Sequence, residues 1–383
     1  MTIIGLVGPF GSGCSYISSI IMDMYDFERI SLSSILRDLY KEHSDDPNPS
    51  RKTLQEFGDE MRRINGPDYL STIAWKRIDQ DKNYIIDSIR NPEEINYIKE
   101  RCSNIYIIGV FAEQEIRFNR VREKYNDNLT AFKDDDERDS GESMAFGQQV
   151  TACFKTADII ILNNKDVLIG SEDYDFLLHK IKQYIDVILK TLQFYPSPDE
   201  TYMTMAYAVS FRSSCLKRKV GALIIDDLGN IISSGYNEVP IAERSCKKEY
   251  GRCNRDRLKS EFSNEINRII TDPDMHERVY TAFKNSFKIL DYCKALHAEE
   301  NAIINVARTG SSEALKKSII YSTTYPCKLC ANKIAQVGIR EVVYFEPYPM
   351  ADAKDILTNR GIKQTPFEGA TYNGYFKFME GIE

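Results

Sequence analysis

The sequence predicts an α/β protein of two domains. Its 383 residues exceed what a single hydrophobic core usually supports. Short apolar runs alternate with amphipathic stretches in the first half, and a proline-rich break precedes a second, differently ordered set of strands and helices.

In the first half the apolar runs fall at residues 3–7, 84–86, 105–111 and 158–162, with helix-like stretches at 51–65, 92–101 and 113–124 between them. Strand, helix, strand in that order implies a parallel sheet. The acidic, apolar-poor segment 126–142 reads as an exposed loop or lid. A helix at 176–192 ends the first domain, placed at residues 1–193. Tyr195-Pro196-Ser197-Pro198 is the linker, because proline fixes φ and has no N–H to donate.

The second domain, residues 200–383, opens with a helix at 203–211. Strands at 220–225 and 230–234 follow, joined by the turn Asp226-Asp227-Leu228-Gly229. Residues 254–290 are charged and helix-compatible and read as an insertion. Beyond them come a helix at 298–307, a strand at 318–322, a helix at 328–337 and a strand at 341–345.

The formal charge of −7 argues against a sequence-independent grip on long nucleic acid, while leaving small charged ligands open. No basic leader opens the chain and no apolar stretch is long enough to span a bilayer, so a cytoplasmic protein with no membrane partner is expected. Nine cysteines without a secretory signal point to thiolates that hold metal or do chemistry rather than to a disulfide frame.

His297-Ala298-Glu299 opens one predicted helix and Pro326-Cys327-Lys328-Leu329-Cys330 opens the next. Two cysteines three apart at a helix start aim their sulfurs at one point. With His297 they make three ligands for a zinc ion and leave a fourth tetrahedral position for water. Glu299, two residues from the histidine, lies near that position without ligating and suits a proton carrier. His-x-Glu with Pro-Cys-x-x-Cys is the signature of zinc nucleobase deaminases. A redox Cys-x-x-Cys or a closed structural zinc site would have no use for the upstream His-x-Glu.

Phe211-Arg212-Ser213-Ser214-Cys215, Val220-Gly221-Ala222, Gly235-Tyr236-Asn237 with Pro240, Asn301-Ala302-Ile303, Ala307-Arg308-Thr309-Gly310 and Ala335-Gln336-Val337-Gly338-Ile339 together resemble deoxycytidylate deaminases. The resemblance implies a cytidine-deaminase-like α/β/α fold, with Asn237 on the deoxyribose and Tyr348 bordering the nucleotide pocket. Arg212 and Lys219, in the basic cluster with Lys217 and Arg218, are candidates for the substrate phosphate, against the plainer reading of solvated surface cations. Glu238 departs from the glycine usual after Gly-Tyr-Asn, which bears on phosphate preference. Some relatives hold a second, structural zinc, and Cys215, Cys246, Cys253 and Cys293 are its candidate ligands here, with buried free cysteines as the alternative.

Gly8-Pro9-Phe10-Gly11-Ser12-Gly13-Cys14-Ser15 follows a strand and precedes a helix, the setting of a phosphate-cradling P-loop. Cys14 stands where lysine is expected, so the N–H cradle of Gly8, Gly11 and Gly13 and the Mg²⁺-directed hydroxyl of Ser15 remain while a cation is lost. Asp87, Arg90-Asn91 and the arginines Arg117, Arg120 and Arg122 resemble parts of small nucleotide kinases. A P-loop kinase-like domain ahead of a deoxycytidylate-type deaminase resembles the bacterial anti-phage dCTP/dCMP deaminases. That resemblance implies deamination of dCMP or dCTP, a nucleotide effector with Mg²⁺ at the glycine-rich loop, a homo-oligomer such as a hexamer, and restraint by an inhibitory partner such as an RNA. The competing readings are a bifunctional deoxynucleotide kinase and deaminase of pyrimidine salvage, a single-stranded nucleic-acid cytidine deaminase, and a nucleotide-binding regulator without activity.

Overall fold

The first apolar run forms strand β1 (Ile3–Val7), buried along its whole length as a middle strand of a parallel sheet must be. The structure is a computed structural model that describes residues 1–141, 147–165, 170–286, 292–310, 312–346 and 351–380. After β1 the chain forms α1 (Cys14–Met24), β2 (Glu28–Ser31), α2 (Leu32–His43), α3 (Arg51–Asn65), α4 (Tyr69–Trp75), β3 (Tyr84–Ile89) and α5 (Pro92–Lys99). Next come β4 (Ile105–Phe111), α6 (Gln114–Val121), α7 (Leu129–Gly141), α8 (Val150–Lys155), β5 (Ile159–Leu162) and α9 (Glu172–Ile188).

The second part runs α10 (Pro198–Ser210), β6 (Gly221–Ile225), β7 (Ile231–Tyr236), α11 (Cys246–Tyr250), α12 (Asn254–Ile269), α13 (Pro273–Ser286) and α14 (Ala298–Thr309). It continues with β8 (Ile319–Thr324), α15 (Lys328–Val337), β9 (Glu341–Glu346), α16 (Ala351–Asn359) and β10 (Lys363–Pro366), and the chain closes with β11 (Gly369–Ala370) and α17 (Tyr372–Met379).

These elements divide into two units, Met1–Glu200 with Glu368–Glu383, and Thr201–Phe367. The last segment therefore joins the first unit, although the sequence pattern groups all of 200–383 together. The reason is local pairing: β11 adds antiparallel to β5, Thr371 Oγ1 donates to Ala157 O at 2.6 Å, and the Phe378 ring stacks on Tyr106. Such long-range contacts leave no periodic signal in the sequence.

The first sheet has the order β11-β5-β4-β1-β3-β2, parallel throughout except at β11. Because β3 and β4 flank β1 on opposite sides, the order reverses at the end of β1, where ligands bind in open α/β sheets. β2 escapes the apolar-run reading because it is a short edge strand with two exposed charged residues. The acidic segment is helix α7 and not an exposed loop, and its buried carboxylates explain why. Asp136 pairs with Arg117, and Asp139 pairs with Arg51 and Arg90.

The second sheet has the order β10-β9-β8-β6-β7, with β10, β9 and β8 parallel and β6 antiparallel to both β8 and β7. Helix α14 packs Ala298, Ala302 and Val306 into a core with Ala222, Ile224, Ile320 and Val342. It lies so close to β7 that a Cβ on Gly235 would stand 2.3 Å from both Ala298 O and Ala302 N. The insertion is a pair of helices, α12 and α13, zipped by the stacked rings of Phe262 and Phe283, 3.8 Å between centroids. Its residues 287–290 lie outside the described residues. Among the described residues no helix is long and apolar enough to cross a membrane.

Candidate active site

Two helix N-termini meet at one place in the second unit. His297 is the N-cap of α14, and Cys327 is the N-cap of α15 with Cys330 one turn further in. His297 Nδ1 lies 3.2 Å from Cys327 Sγ and 3.4 Å from Cys330 Sγ. A zinc ion with Zn–S of about 2.3 Å and Zn–N of about 2.0 Å would set its tetrahedral ligands about 3.6 Å apart. The donor set and its spacing therefore fit such an ion. Among the described residues no other group of three or more histidine, cysteine or carboxylate side chains comes this close.

The electrostatics favour a thiolate here. Hydrogen bonds from Cys330 and His297 hold the Cys327 thiol down at about 4, although burial opposes them. Cys330 beside it is pushed well up by the neighbouring thiolate and by burial. His297 is raised by its contact with Cys327. Positive helix ends at both N-caps act in the same direction as a metal would.

Glu299, 3% exposed, points into the same space, and burial raises its carboxyl above the usual range. Its Oε1 accepts from Ser322 Oγ at 3.4 Å, and its Oε2 lies 3.5 Å from Cys330 Sγ. Glu300, the next residue, joins the His297 N–H at 3.3 Å to the Lys333 ammonium at 2.8 Å. Ser322 and Glu300 were not singled out in the sequence. The hydroxyl run Ser322-Thr323-Thr324 that ends the buried strand β8 is the signal that could have marked Ser322.

Asn237 is buried, and its carboxamide holds the preceding loop: Oδ1 accepts from Val220 N at 2.8 Å and Nδ2 donates to Arg218 O at 2.9 Å. Arg212 lies over the Tyr236 ring at 4.9 Å, and Lys219 Nζ donates to Phe211 O at 3.3 Å. Tyr348 lies outside the described residues. Cys215, Cys246, Cys253 and Cys293 are free and half-buried. No three of them reach the mutual closeness of the His297 group, though Cys215 and Cys246 are near enough to Cys293 to add to the upward push that burial gives its thiol.

In the first unit Gly8 to Ser15 form the turn from β1 into α1. Gly13 has φ +98°, and a Cβ there would meet Asn163 Nδ2 at 2.3 Å. Asn163 in turn donates to Ser12 O at 2.8 Å. Burial pushes the Cys14 thiol up to about 11. Ser15 Oγ and Asp87 Oδ2 converge, and Arg29 donates to both, at 3.0 Å to Ser15 and 2.9 Å to Asp87. Arg29, on the edge strand β2, carried no motif that marked it in the sequence. Arg117 is buried and donates to Phe10 O of the glycine-rich turn at 3.1 Å. Arg120 donates to Lys165 O at 2.8 Å, while Arg122 is an exposed partner of Asp127.

A His–Cys–Cys donor set with a buried carboxylate beside it, held at two helix N-termini on a mixed sheet, is the arrangement of hydrolytic nucleobase deaminases. Residues 196–346 match the family described as the cytidine and deoxycytidylate deaminase zinc-binding region. The chain belongs to the deoxycytidylate deaminase family and is a hydrolytic deaminase. It is 34% identical to the deoxycytidylate deaminase of Enterobacteria phage T2 over 175 residues, 43% of this chain and 88% of that one. It is 29% identical to the deoxycytidylate deaminase of Schizosaccharomyces pombe over 273 residues, 70% of this chain and 71% of that one. The solved dCMP deaminase of cyanophage S-TIM5, in complex with dCMP and dUMP, shares 27% identity over 46% of this chain and 100% of that one, with a TM-score of 0.31.

Proposed function

We propose that the chain is a zinc-dependent enzyme that converts free deoxycytidine nucleotides, dCMP or dCTP, to deoxyuridine nucleotides and ammonia. The observation that carries this is the convergence of His297, Cys327 and Cys330 on one point with the buried Glu299 beside it. Zinc held by those three side chains would make water ionisable near neutral pH. Glu299 then does the proton work. It accepts one proton of the attacking water and delivers it to the ring nitrogen of cytosine. It then takes the proton of the hydroxyl newly bonded to the ring carbon and passes it to the departing amine, so that water and cytosine become uracil and ammonia. Burial suits the carboxylate to the first of these steps, because a raised carboxyl is a stronger base and takes up the proton of water more readily than an ordinary carboxylate does.

Depletion of deoxycytidine nucleotides during phage infection is the role we assign to this activity. Homo-oligomerisation and restraint by an inhibitory partner such as an RNA belong to the same proposal. The glycine-rich turn at Gly8, Gly11, Gly13, Cys14 and Ser15, with Asp87 opposite, serves in it as a nucleotide sensor rather than a kinase site. Its place at the switch point of the first sheet supports that reading. A Mg²⁺ ion carried by the nucleotide would compete with Arg29 for Ser15 and Asp87. Ammonia release measured on dCMP, dCTP, CMP and cytosine-containing oligonucleotides, with zinc content by elemental analysis, tests the main proposal. Turnover of oligonucleotides alone, or activity without metal, would overturn it. Nucleotide binding to a Gly13→Asp variant tests the sensor, since a carboxylate in the turn blocks the cradle.

A further inference from the structure

Glu238 is not used by the chemistry above, yet it lies one bridge from it. Its backbone pairs with Leu296, N to O at 3.2 Å and O to N at 2.9 Å, so it leaves the sheet beside the residue that precedes His297. Its carboxylate reaches across to the loop between α10 and β6. Oε2 accepts from the Ser214 N–H at 2.8 Å, and Oε1 accepts from the Ser214 hydroxyl at 2.6 Å and from the Val239 N–H at 2.9 Å. Burial would raise this carboxyl, yet those donors hold it below its ordinary value.

The loop so grasped carries four cations. Lys217 pairs with Asp256 and Arg218 with Glu346. Arg212 and Lys219 have no carboxylate partner among the described residues, and both are exposed. Asn237 fixes the end of the loop at Arg218 and Val220, and Ser213 Oγ donates to Asn237 O at 2.6 Å. Ser214 is the next residue along and is exposed, and Glu238 is what ties it down. A glycine at 238 could not do so.

We propose that Glu238 is a positioning residue for the substrate's phosphate: by latching Ser214 it sets Arg212 and Lys219 where the 5′-phosphate of a deoxycytidine nucleotide is held. This rests on the reading of the site as a deoxycytidine nucleotide deaminase. It also gives a reason for a carboxylate near an anion site, since its charge is already engaged by hydrogen-bond donors.

The test is the kinetics of the zinc-loaded full chain on dCMP, with deoxycytidine, which lacks the phosphate, as substrate or competitor. For Glu238→Gly the KM for dCMP rises about tenfold, the size of one charge-assisted hydrogen bond, with kcat within about twofold and deoxycytidine unaffected. Glu238→Gln, which keeps an oxygen for Ser214, recovers most of the loss. Ser214→Ala, an exposed change with little risk to folding, moves the KM for dCMP the same way by about threefold. An unchanged or lowered KM for dCMP in Glu238→Gly or Ser214→Ala would overturn the proposal, as would an equal loss on deoxycytidine. A wild-type chain that neither binds nor deaminates dCMP would overturn the parent reading and this one with it.

Discussion

The Ser322 hydroxyl donates to Glu299 Oε1 across 3.4 Å in a buried pair, so the end of strand β8 orients the carboxylate that the start of helix α14 supplies. In the proposed chemistry ligation and proton transfer fall to different side chains, and Glu299 meets the donor set through Cys330.

Glu299→Ala is expected to retain its metal and lose turnover. The three candidate ligands are untouched, while the buried carboxylate beside them is gone, and positioned acid–base groups contribute about 10²–10⁴-fold to rate. Elemental analysis alongside ammonia release checks this, and a variant that still turns over removes Glu299 from the mechanism. Ser322→Ala is expected to lower kcat by several-fold only, since it loosens the carboxylate without removing it.

Chelation is expected to cost stability as well as activity. A ligand present at a thousandfold its dissociation constant stabilises the native state by about 4 kcal/mol. In a unit the size of Thr201–Phe367 that corresponds to a melting shift on the order of 10 °C. Cys327→Ser should reproduce both losses. Differential scanning calorimetry with and without chelator decides, and an unshifted transition would mean that the donor set holds no ion.

Gly235→Ala probes how closely α14 must approach β7. The added methyl would lie 2.3 Å from Ala298 O and Ala302 N, both backbone atoms, so the helix has to move outward and take His297 and Glu299 with it. A destabilisation of about 1–3 kcal/mol is expected from overpacking, with a larger proportional fall in kcat. Urea unfolding and steady-state kinetics on one preparation separate the two effects.

Truncation after Phe367 is expected to damage the first unit. It removes β11 from the edge of β5, the buried Phe378 from Tyr106, and the Ala370 N–H from Glu200 Oε1, to which it donates at 2.6 Å. Glu200 would then keep Tyr184 and Ser197 as donors but lose the strand it clasps. Proteolysis rates of the β5 region, faster in the truncated chain, are the readout. Equal rates would show that the tail is dispensable.

Cys14 is expected to resist alkylation. Its thiol is raised from 9.0 to about 11 by burial, so at pH 8 its thiolate fraction is about 100-fold below that of an ordinary cysteine. The folded value lies above the unfolded one, so its contribution to stability is complete below about 9 and is lost as pH climbs toward about 11. Brief alkylation at pH 8 followed by peptide mass spectrometry checks the reactivity, and prompt labelling of native Cys14 would contradict it.

Much of this was legible in the sequence because it is local. Buried runs of isoleucine and valine mark β1 and β4, the helix of residues 51–65 follows from its periodicity, and His297-Ala298-Glu299 with Cys327 and Cys330 marks the site through spacing on two helix starts. What was not legible depends on pairing across the fold. The acidic stretch 126–142 reads as solvated until Arg51, Arg90 and Arg117 are placed against it. Gly369 and Ala370 are too short a run to read as a strand until β5 offers them an edge.

The sequence by itself pointed to the proposed chemistry: three candidate metal ligands, one histidine and two cysteines, and one carboxylate at spacings that helix geometry turns toward a common point. Only the tertiary structure decided which distant side chains meet around it, namely Ser322 on Glu299 and Glu238 on Ser214. The physical reason is one of range. Ligand spacing within a helical turn is a property of a few consecutive residues. A hydrogen bond between residues 23 or 24 positions apart exists only once sheet and helix have brought them within 3.5 Å.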